Sequence, residues 1–216
     1  MAKNFARNEP RLKPQPKVLV ICEDKKSGKC YFDDANRILR SQLDVEVTHR
    51  GKTDPLGILN EAIDAQNKYD KIYCVIDRDQ HENFDEAIQK SRHLENIIII
   101  DSHPCFEYWL ILHFNFSRKP YKSKGRLSSG ELCIKDLKKQ NGMETYEKGT
   151  SKNLFKTLFG APLETARKNA EKSLQQANDT DDLNPSTKIH ILISDMEKLG
   201  SLQHAECVDL PIRRRR

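Results

Sequence analysis

The sequence lacks several patterns that would assign it to a common class of protein. Its longest apolar runs, residues 97–100 and 109–112, are far shorter than the roughly 18–20 residues of a membrane-spanning helix. The N-terminus has no apolar signal core, so we expect a cytoplasmic protein. None of the six cysteines belongs to a C-x-x-C pair or a zinc-finger pattern, which favours reduced core thiols. There is no Walker A motif, no G-x-G-x-x-G and no nucleophile elbow.

Positive charge is concentrated at the two ends of the chain. The net charge is +5, yet residues 1–17 hold five Lys or Arg against one Glu, and residues 213–216 are four arginines. The remainder of the chain is therefore mildly acidic. Basic ends can attract phosphate backbones by non-specific electrostatics, and a solubilising tail is the alternative.

Buried strands alternate with helices over the first half of the sequence. Apolar, β-branched runs at residues 17–22, 72–76 and 97–100 predict strands buried on both faces, and residues 45–50 alternate as a half-exposed strand. Amphipathic segments between them predict helices, one of them capped by Asp54 and Pro55. The β-α-β-α-β-α-β order favours an open, mainly parallel α/β sheet flanked by helices.

The second half of the sequence has a different character. Helical patterns recur there, and we expect short helices at residues 131–139 and 151–159 and longer ones at 163–177 and from 189 onward. The chain thus divides into four predicted parts. These are a basic arm (1–16), an α/β core (17–116), a helical C-terminal region packing on the core (117–212) and a basic tail (213–216).

A basic segment at residues 117–130 separates the core from these later helices. It contains Lys122, Lys124 and Arg126 beside Tyr121. Basic and aromatic side chains mixed in a loop can hold a nucleic-acid strand. A solvated loop is the alternative.

Carboxylates follow the predicted buried strands at the point where each strand ends. Glu23 follows the first strand, Asp77 and Asp79 follow the third, and Asp101 and His103 lie at the end of the fourth. Parallel strands bring these ends to one edge of the sheet, where ligands of open α/β sheets bind. Like charges so close repel one another, and a divalent cation relieves that repulsion. A metal or acid–base site is therefore favoured over a solvated loop.

A nearly all-apolar helix follows the fourth strand. Pro104 suits its first turn, and Glu107 lies on its apolar stripe. A lone buried carboxylate is costly, so Glu107 needs a shared cation, an Arg or Lys partner, or a backbone amine. Cys105 is close to the predicted site, and a core cysteine is favoured over thiol catalysis.

Three blocks of the sequence resemble the RloB-like family of anti-phage and abortive-infection proteins, which are relatives of the Toprim nucleases. The first block is Ile21-Cys22-Glu23 with Lys26, Ser27, Tyr31 and Phe32, the second is Ile76-Asp77-Arg78-Asp79, and the third runs from His103 to Phe114. The Asn184-Pro185-Ser186-Thr187 run is similar to the C-terminal motif of the family. In the first block Asp24 stands where the family usually has glycine.

The resemblance implies a Toprim-like, Rossmann-like core with an Mg²⁺-dependent nuclease site. Glu23, Asp77 and Asp79 match the acidic positions of that superfamily, so they would bind Mg²⁺ or Mn²⁺, or Glu23 would act as general acid/base. Glu107 would complete the catalytic set. The substrate would be RNA such as tRNA, or DNA, and an AAA/ABC-type ATPase is an implied partner.

The predicted contacts to nucleic acid come from basic residues near the site and in the loop. They are Lys25, Lys26, Arg78, Lys122, Lys124 and Arg126. Assembly of identical subunits is left open. A different class of function is a non-catalytic sensor or regulatory subunit of an ATPase-containing defence complex, in which the acids are structural.

Overall fold

The structure, a computed structural model, describes residues 16–23, 26–41, 44–47, 54–78, 81–149 and 153–208. Strands and helices alternate first, and helices then dominate. In chain order the elements are β1 (Val18–Cys22), α1 (Gly28–Leu39), β2 (Asp44–Val47), α2 (Pro55–Ala65), β3 (Lys71–Asp77), α3 (Phe84–Ser91), β4 (Ile97–His103), α4 (Glu107–Ile111), α5 (Ser129–Leu137), α6 (Leu154–Leu158), α7 (Ala161–Thr180), β5 (Ser186–Thr187) and α8 (Ile189–Val208). No helix within these residues is long and apolar enough to cross a membrane.

The strands form one open sheet in the order β2-β1-β3-β4-β5. The first four of these are parallel, with Cys74 of β3 lying between Ile21 of β1 and Ile99 of β4. The three central strands are almost wholly buried, because their apolar residues face both sides of the sheet. The predicted open, mainly parallel α/β sheet is confirmed.

Helices cover both faces of this sheet, and alternate strand residues face opposite sides. Leu19 and Ile21 of β1 pack on one side in a cluster with residues of α2 and α3. Val20 of β1 and Tyr73 of β3 face the other side, where they join residues of α1, α4, α6, α7 and α8. The helical region that we predicted from residue 117 onward therefore packs on this second face of the sheet.

Helix α2 begins where the sequence predicts. The Asp54 carboxylate accepts a hydrogen bond from the Gly57 amide at 3.0 Å, and Pro55 is the first helical residue. Helices α5 to α8 also lie where helical patterns were found. The strand predicted over residues 45–50 is present as β2, and its last three predicted residues lie outside the described part of the chain.

Our placement of Pro104 in the first turn of a helix was wrong. Helix α4 begins at Glu107, and Pro104 lies in the preceding connection, after a cis peptide bond with His103. The amide of Phe106, just before the helix, is bonded to the Asp77 carboxylate at 2.9 Å. The chain is thus attached to the end of β3 before its helical turns begin.

The sequence patterns also missed β5. Its two residues pair antiparallel with Ser102 and His103 of β4, and the Ser102 and Thr187 hydroxyl oxygens lie 2.8 Å apart. A two-residue polar strand has no hydrophobic periodicity, so it gives no recognisable pattern. It places the start of α8 against the edge of the sheet.

Candidate active site

The candidate site is formed where β1 and β3 end. These strands are neighbours, so Glu23, one residue beyond β1, lies beside Asp77, the last residue of β3. The Glu23 amide donates to the Val75 carbonyl at 3.1 Å, which continues the strand pairing to the acid itself. The Asp77 amide donates to Glu23 Oε2 at 2.8 Å. The sheet register therefore fixes the position of the Glu23 carboxylate.

The Asp77 carboxylate is oriented by a different element. Its Oδ1 accepts the Phe106 amide at 2.9 Å, so the connection into α4 holds it in place. Glu23 and Asp77 line one narrow cleft together with Cys22, Gly28, Val75 and Phe106. Hydrogen bonds from amides stabilise the ionised form of a carboxylate. The two acids are thus held as a pair at the edge of the sheet, as the sequence predicted.

His81 is a site residue that the sequence reasoning missed. Its Nε2 lies 3.1 Å from Glu23 Oε1, the oxygen that does not accept the Asp77 amide. The polar residues around His81 predict only a turn. The available signal was its spacing, four residues after Asp77 on a chain leaving the strand end. The Glu23 carboxylate is therefore bonded through both of its oxygens.

Glu107 lies in a hydrogen-bond network of its own. Its side chain is fully buried, and its Oε1 accepts the Tyr146 hydroxyl at 2.9 Å. Lys148 Nζ lies 3.6 Å from Oε2 and provides the opposite charge. Of the alternatives for this acid, the structure contains the lysine partner. Neither Tyr146 nor Lys148 was singled out in the sequence, because both lie in an irregular segment far along the chain.

The Tyr146 hydroxyl joins Glu107 to the start of α1. It also lies 3.0 Å from the Ser27 hydroxyl. A phenol has a single proton to donate. Tyr146 therefore donates its hydrogen bond to the Glu107 carboxylate, and the Ser27 hydroxyl donates to the phenol oxygen of Tyr146. Burial first, and then the charge of Glu107, raise the pKa of Tyr146 far above its ordinary value. Tyr146 is therefore a proton-bearing donor throughout the physiological pH range.

The carboxylate set fits a divalent cation only in part. Within the described residues, no three His, Cys, Asp or Glu side chains form a group that could hold a metal ion. Glu107 does not join Glu23 and Asp77 in such a group. Asp79, the third predicted ligand, lies outside the described residues. Two oriented carboxylates are oxygen donors of the kind Mg²⁺ prefers, so the predicted metal site stays a prediction.

Cys105 lies between the two acidic networks. Its hydrogen bond with Cys133 first, then burial and the charges of Glu107 and Asp77, raise the pKa of its thiol well above the usual value. Thiolate is the nucleophilic form of cysteine, and this environment opposes it. The side chain is also buried, which agrees with the core role that the sequence favoured.

The basic residues predicted to bind nucleic acid have different surroundings. Lys26 is exposed, and its side chain packs beside Gly149. Arg78 lies over the Phe84 ring, 4.7 Å from its centroid, and 3.6 Å from Asp85, so it is engaged by α3. Lys25 lies outside the described residues.

The basic loop holds its three predicted residues in exposed positions. These are Lys122, Lys124 and Arg126. Tyr121 does not share that exposure, because only 5% of it is accessible and its ring contacts Tyr108. The prediction that an aromatic side chain of this loop helps to hold a strand was therefore wrong for Tyr121.

Taken together, the fold and the site define an α/β protein with paired acids at the carboxyl edge of a mainly parallel sheet. A protein-family model described as RloB-like protein matches residues 18–196, and the chain belongs to this family. No match was found among curated proteins or among solved structures.

Proposed function

We propose that this RloB-like protein is a metal-dependent nuclease that hydrolyses phosphodiester bonds in RNA, such as tRNA, or in DNA. The observation that carries the proposal is the pair of carboxylates, Glu23 and Asp77, each oriented by a backbone amide at adjacent strand ends. Side chains already held in place need no reorganisation during the reaction. The match of Glu23, Asp77 and Asp79 to the acidic positions of Toprim nucleases supports the same chemistry.

Each acid has a proposed role in the reaction. Glu23, Asp77 and Asp79 would hold Mg²⁺ or Mn²⁺, which would supply positive charge beside the scissile phosphate. Alternatively, Glu23 would orient the attacking water and accept its proton as general base. His81, 3.1 Å from Glu23 Oε1, keeps that carboxylate in one orientation.

Glu107 supports the site from the side of α4. Glu107 forms an ion pair with Lys148 and a hydrogen bond with Tyr146, and Tyr146 also contacts Ser27. These contacts hold residues 146–148 against the start of α1. Lys26, exposed at the start of that helix, contacts substrate phosphate in this proposal. Lys25 and Arg78 were predicted to contact phosphate as well. Because Arg78 already contacts α3, we propose a smaller contribution from Arg78 than from Lys26.

The proposed biological role is abortive infection during anti-phage defence, with an AAA/ABC-type ATPase as a regulatory partner. The family resemblance is its support. Co-expression of the chain with its genomic neighbours is the direct test. We expect toxicity and loss of RNA or DNA integrity with the wild-type chain, and neither with Glu23→Ala.

Cleavage by the purified protein tests the site itself. Labelled RNA and DNA are incubated with Mg²⁺ or with EDTA, using wild type, Glu23→Gln, Asp77→Asn and Asp79→Asn. We expect each substitution to slow cleavage by about a hundredfold or more, and EDTA to abolish it. Asp64→Asn and Glu86→Gln are matched controls, because both acids are exposed on helices that cover the sheet.

Two results would contradict the proposal. Cleavage that persists in EDTA removes the metal role, and cleavage that persists in Asp77→Asn together with Asp79→Asn removes the site. Circular dichroism spectra matching those of wild type establish that an inactive variant is folded.

One observation favours the non-catalytic alternative. Glu107, one of the predicted catalytic acids, is fully buried and is partnered inside the protein by Tyr146 and Lys148. In this alternative the acids stabilise a subunit that binds an ATPase. Its signature is stable co-purification of the partner with Glu23→Gln and Asp77→Asn, and a defence phenotype unchanged by either substitution.

A further inference from the structure

A cleft of about 380 Å³ lies between the loop after α4 and the outer face of α5. Five lysines line it, and all five are exposed: Lys119, Lys122, Lys124, Lys135 and Lys139. We call this feature the lysine cleft. It involves none of the acids of the candidate active site.

The lysine cleft has an excess of positive charge. The acid in its lining is Asp136, which lies 2.6 Å from Lys139 and 3.5 Å from Lys119. Although burial acts in the other direction, these two lysines lower the pKa of Asp136 below its ordinary value, so it stays ionised. One carboxylate cannot balance five ammonium groups. The cleft therefore attracts an anion with several charges.

The wall of the cleft formed by the loop is anchored to the helical region. The Tyr121 amide donates to Asn184 Oδ1 at 3.1 Å, and Asn184 Nδ2 donates to the Tyr121 carbonyl at 2.8 Å. This reciprocal pair fixes the backbone from which Lys122 and Lys124 project. The opposite wall is α5, whose inner residues Cys133 and Leu137 are buried. The lysines thus project from a rigid frame.

The chemistry of the lining selects one kind of polyanion. Lysine ammonium groups bind phosphates as point charges, whereas bases are read by stacking or by paired hydrogen bonds. The one aromatic residue in the lining, Tyr121, is buried and cannot stack on a base. A narrow concave cleft also fits an extended chain better than the flat surface of a membrane.

We propose that the lysine cleft binds the phosphate backbone of single-stranded nucleic acid without regard to base sequence. Helix α5 connects this surface to the candidate active site, because Cys133 on its inner face belongs to the same buried cluster as Cys105 and Phe106, and the Phe106 amide donates to Asp77. A strand in the cleft lies on the helix that packs against the site. The binding does not depend on cleavage, so the inference goes beyond the proposed nuclease activity.

Fluorescence anisotropy with a labelled RNA homopolymer tests the cleft, in EDTA so that no cleavage occurs. The cleft variant combines Lys122→Gln, Lys124→Gln and Lys135→Gln. The control variant combines Lys68→Gln, Lys156→Gln and Lys168→Gln, which remove the same charge from exposed positions elsewhere.

We expect the cleft variant to bind roughly tenfold or more weakly at low salt, and the control variant within about twofold of wild type. Because each phosphate contact contributes about 0.7 to the slope of log K against log salt on single strands, the slope should fall by about 2. Single-stranded DNA and RNA of different base composition should compete equally. Marked preference for one base sequence contradicts the proposal.

Other outcomes overturn the proposal in distinguishable ways. Equal weakening by the cleft and control variants would mean that net charge alone determines binding. Unchanged RNA binding by the cleft variant, with reduced sedimentation on phosphatidylserine vesicles, would identify a membrane surface instead.

The nuclease proposal is judged separately. Persistent cleavage by Asp77→Asn together with Asp79→Asn would refute that proposal while leaving the cleft intact.

Discussion

At the scale of single residues, the most demanding feature is a fully buried carboxylate, Glu107. Burying an unpaired charge is prohibitive, and here the Tyr146 hydroxyl and the Lys148 ammonium offset that cost. Lys148 is 40% exposed and interacts at 3.6 Å, so solvent weakens its contribution. The short bond from Tyr146 is therefore the stronger of the two contacts.

Replacing Tyr146 with Phe should lower the free energy of unfolding by about 1–3 kcal/mol. The change removes the hydroxyl and leaves a buried charged acceptor without its donor. Urea denaturation measures the effect. In a Glu107→Gln background the same change should cost less, because the acceptor is no longer charged, and the double-mutant cycle isolates the coupling. An equal cost in both backgrounds would show that Tyr146 acts through packing alone.

The sequence predicted some of these residues and not others for a physical reason. Glu23 and Asp77 follow strands with an obvious apolar pattern, so their positions relative to the sheet could be inferred from local periodicity. Tyr146 and His81 lie in irregular segments, where contacts depend on how the chain returns to the sheet. Such long-range contacts leave no periodic signal. Glu107 is intermediate, since the pattern predicted its burial and left its partner open.

At the scale of secondary-structure elements, the junction between β4 and β5 joins the sheet to the last helix. Lys188, which precedes α8, lies 2.7 Å from the buried Asp101, and its amide donates to the Asp101 carbonyl at 3.0 Å. His103 Nε2 lies 3.0 Å from the same carboxylate. Burial raises the pKa of Asp101, but the bond from His103 and the charge of Lys188 outweigh it and lower the pKa overall.

Replacing Lys188 with Met should destabilise the protein by about 2 kcal/mol at pH 7. This is below the range for a fully buried pair because the lysine side chain is 35% exposed. The folded-state pKa of Asp101 is lowered, so its contribution is complete above the unfolded pKa of about 3.9 and is lost as pH falls through the folded value. Urea denaturation at pH 7 and in the acid range measures both effects.

A matched control is Lys198→Met, which removes a partner of Asp195 that is 74% exposed. Exposed pairs contribute little, so this variant should stay within about 1 kcal/mol of wild type. A Lys188→Met effect that stays unchanged throughout the acid range would contradict the electrostatic explanation. The aliphatic stem of the lysine would then account for the loss.

Element prediction also depended on the kind of pattern available. The three central strands and the amphipathic helices could be placed from apolar spacing alone. The β5 strand could not, because its two polar residues are defined only by their pairing with Ser102 and His103. The start of α4 was misplaced because the attachment of Phe106 to Asp77 is a contact between distant segments.

At the scale of the whole molecule, one apolar cluster joins the sheet to the helical region. It includes Val20 and Tyr73 from the strands, Trp109 from α4, Phe155 from α6 and Leu192 from α8. The Trp109 indole N–H donates to the Tyr31 hydroxyl at 2.8 Å inside this cluster. The predicted boundary near residue 116 thus crosses a continuous core. The two regions are expected to fold together.

A fragment ending at residue 116 should therefore fail to fold. Without the later helices it would expose the part of the second sheet face that they cover, together with the aromatic side chains of α1 and α4. We expect a broad, non-cooperative urea transition and binding of a hydrophobic dye, whereas a chain ending at Val208 retains every described element and should unfold in one transition. A sharp transition in the shorter fragment would instead establish the α/β core as an independent domain. The acids could then act without the later region of the chain, which contains Cys133, Tyr146 and the lysine cleft.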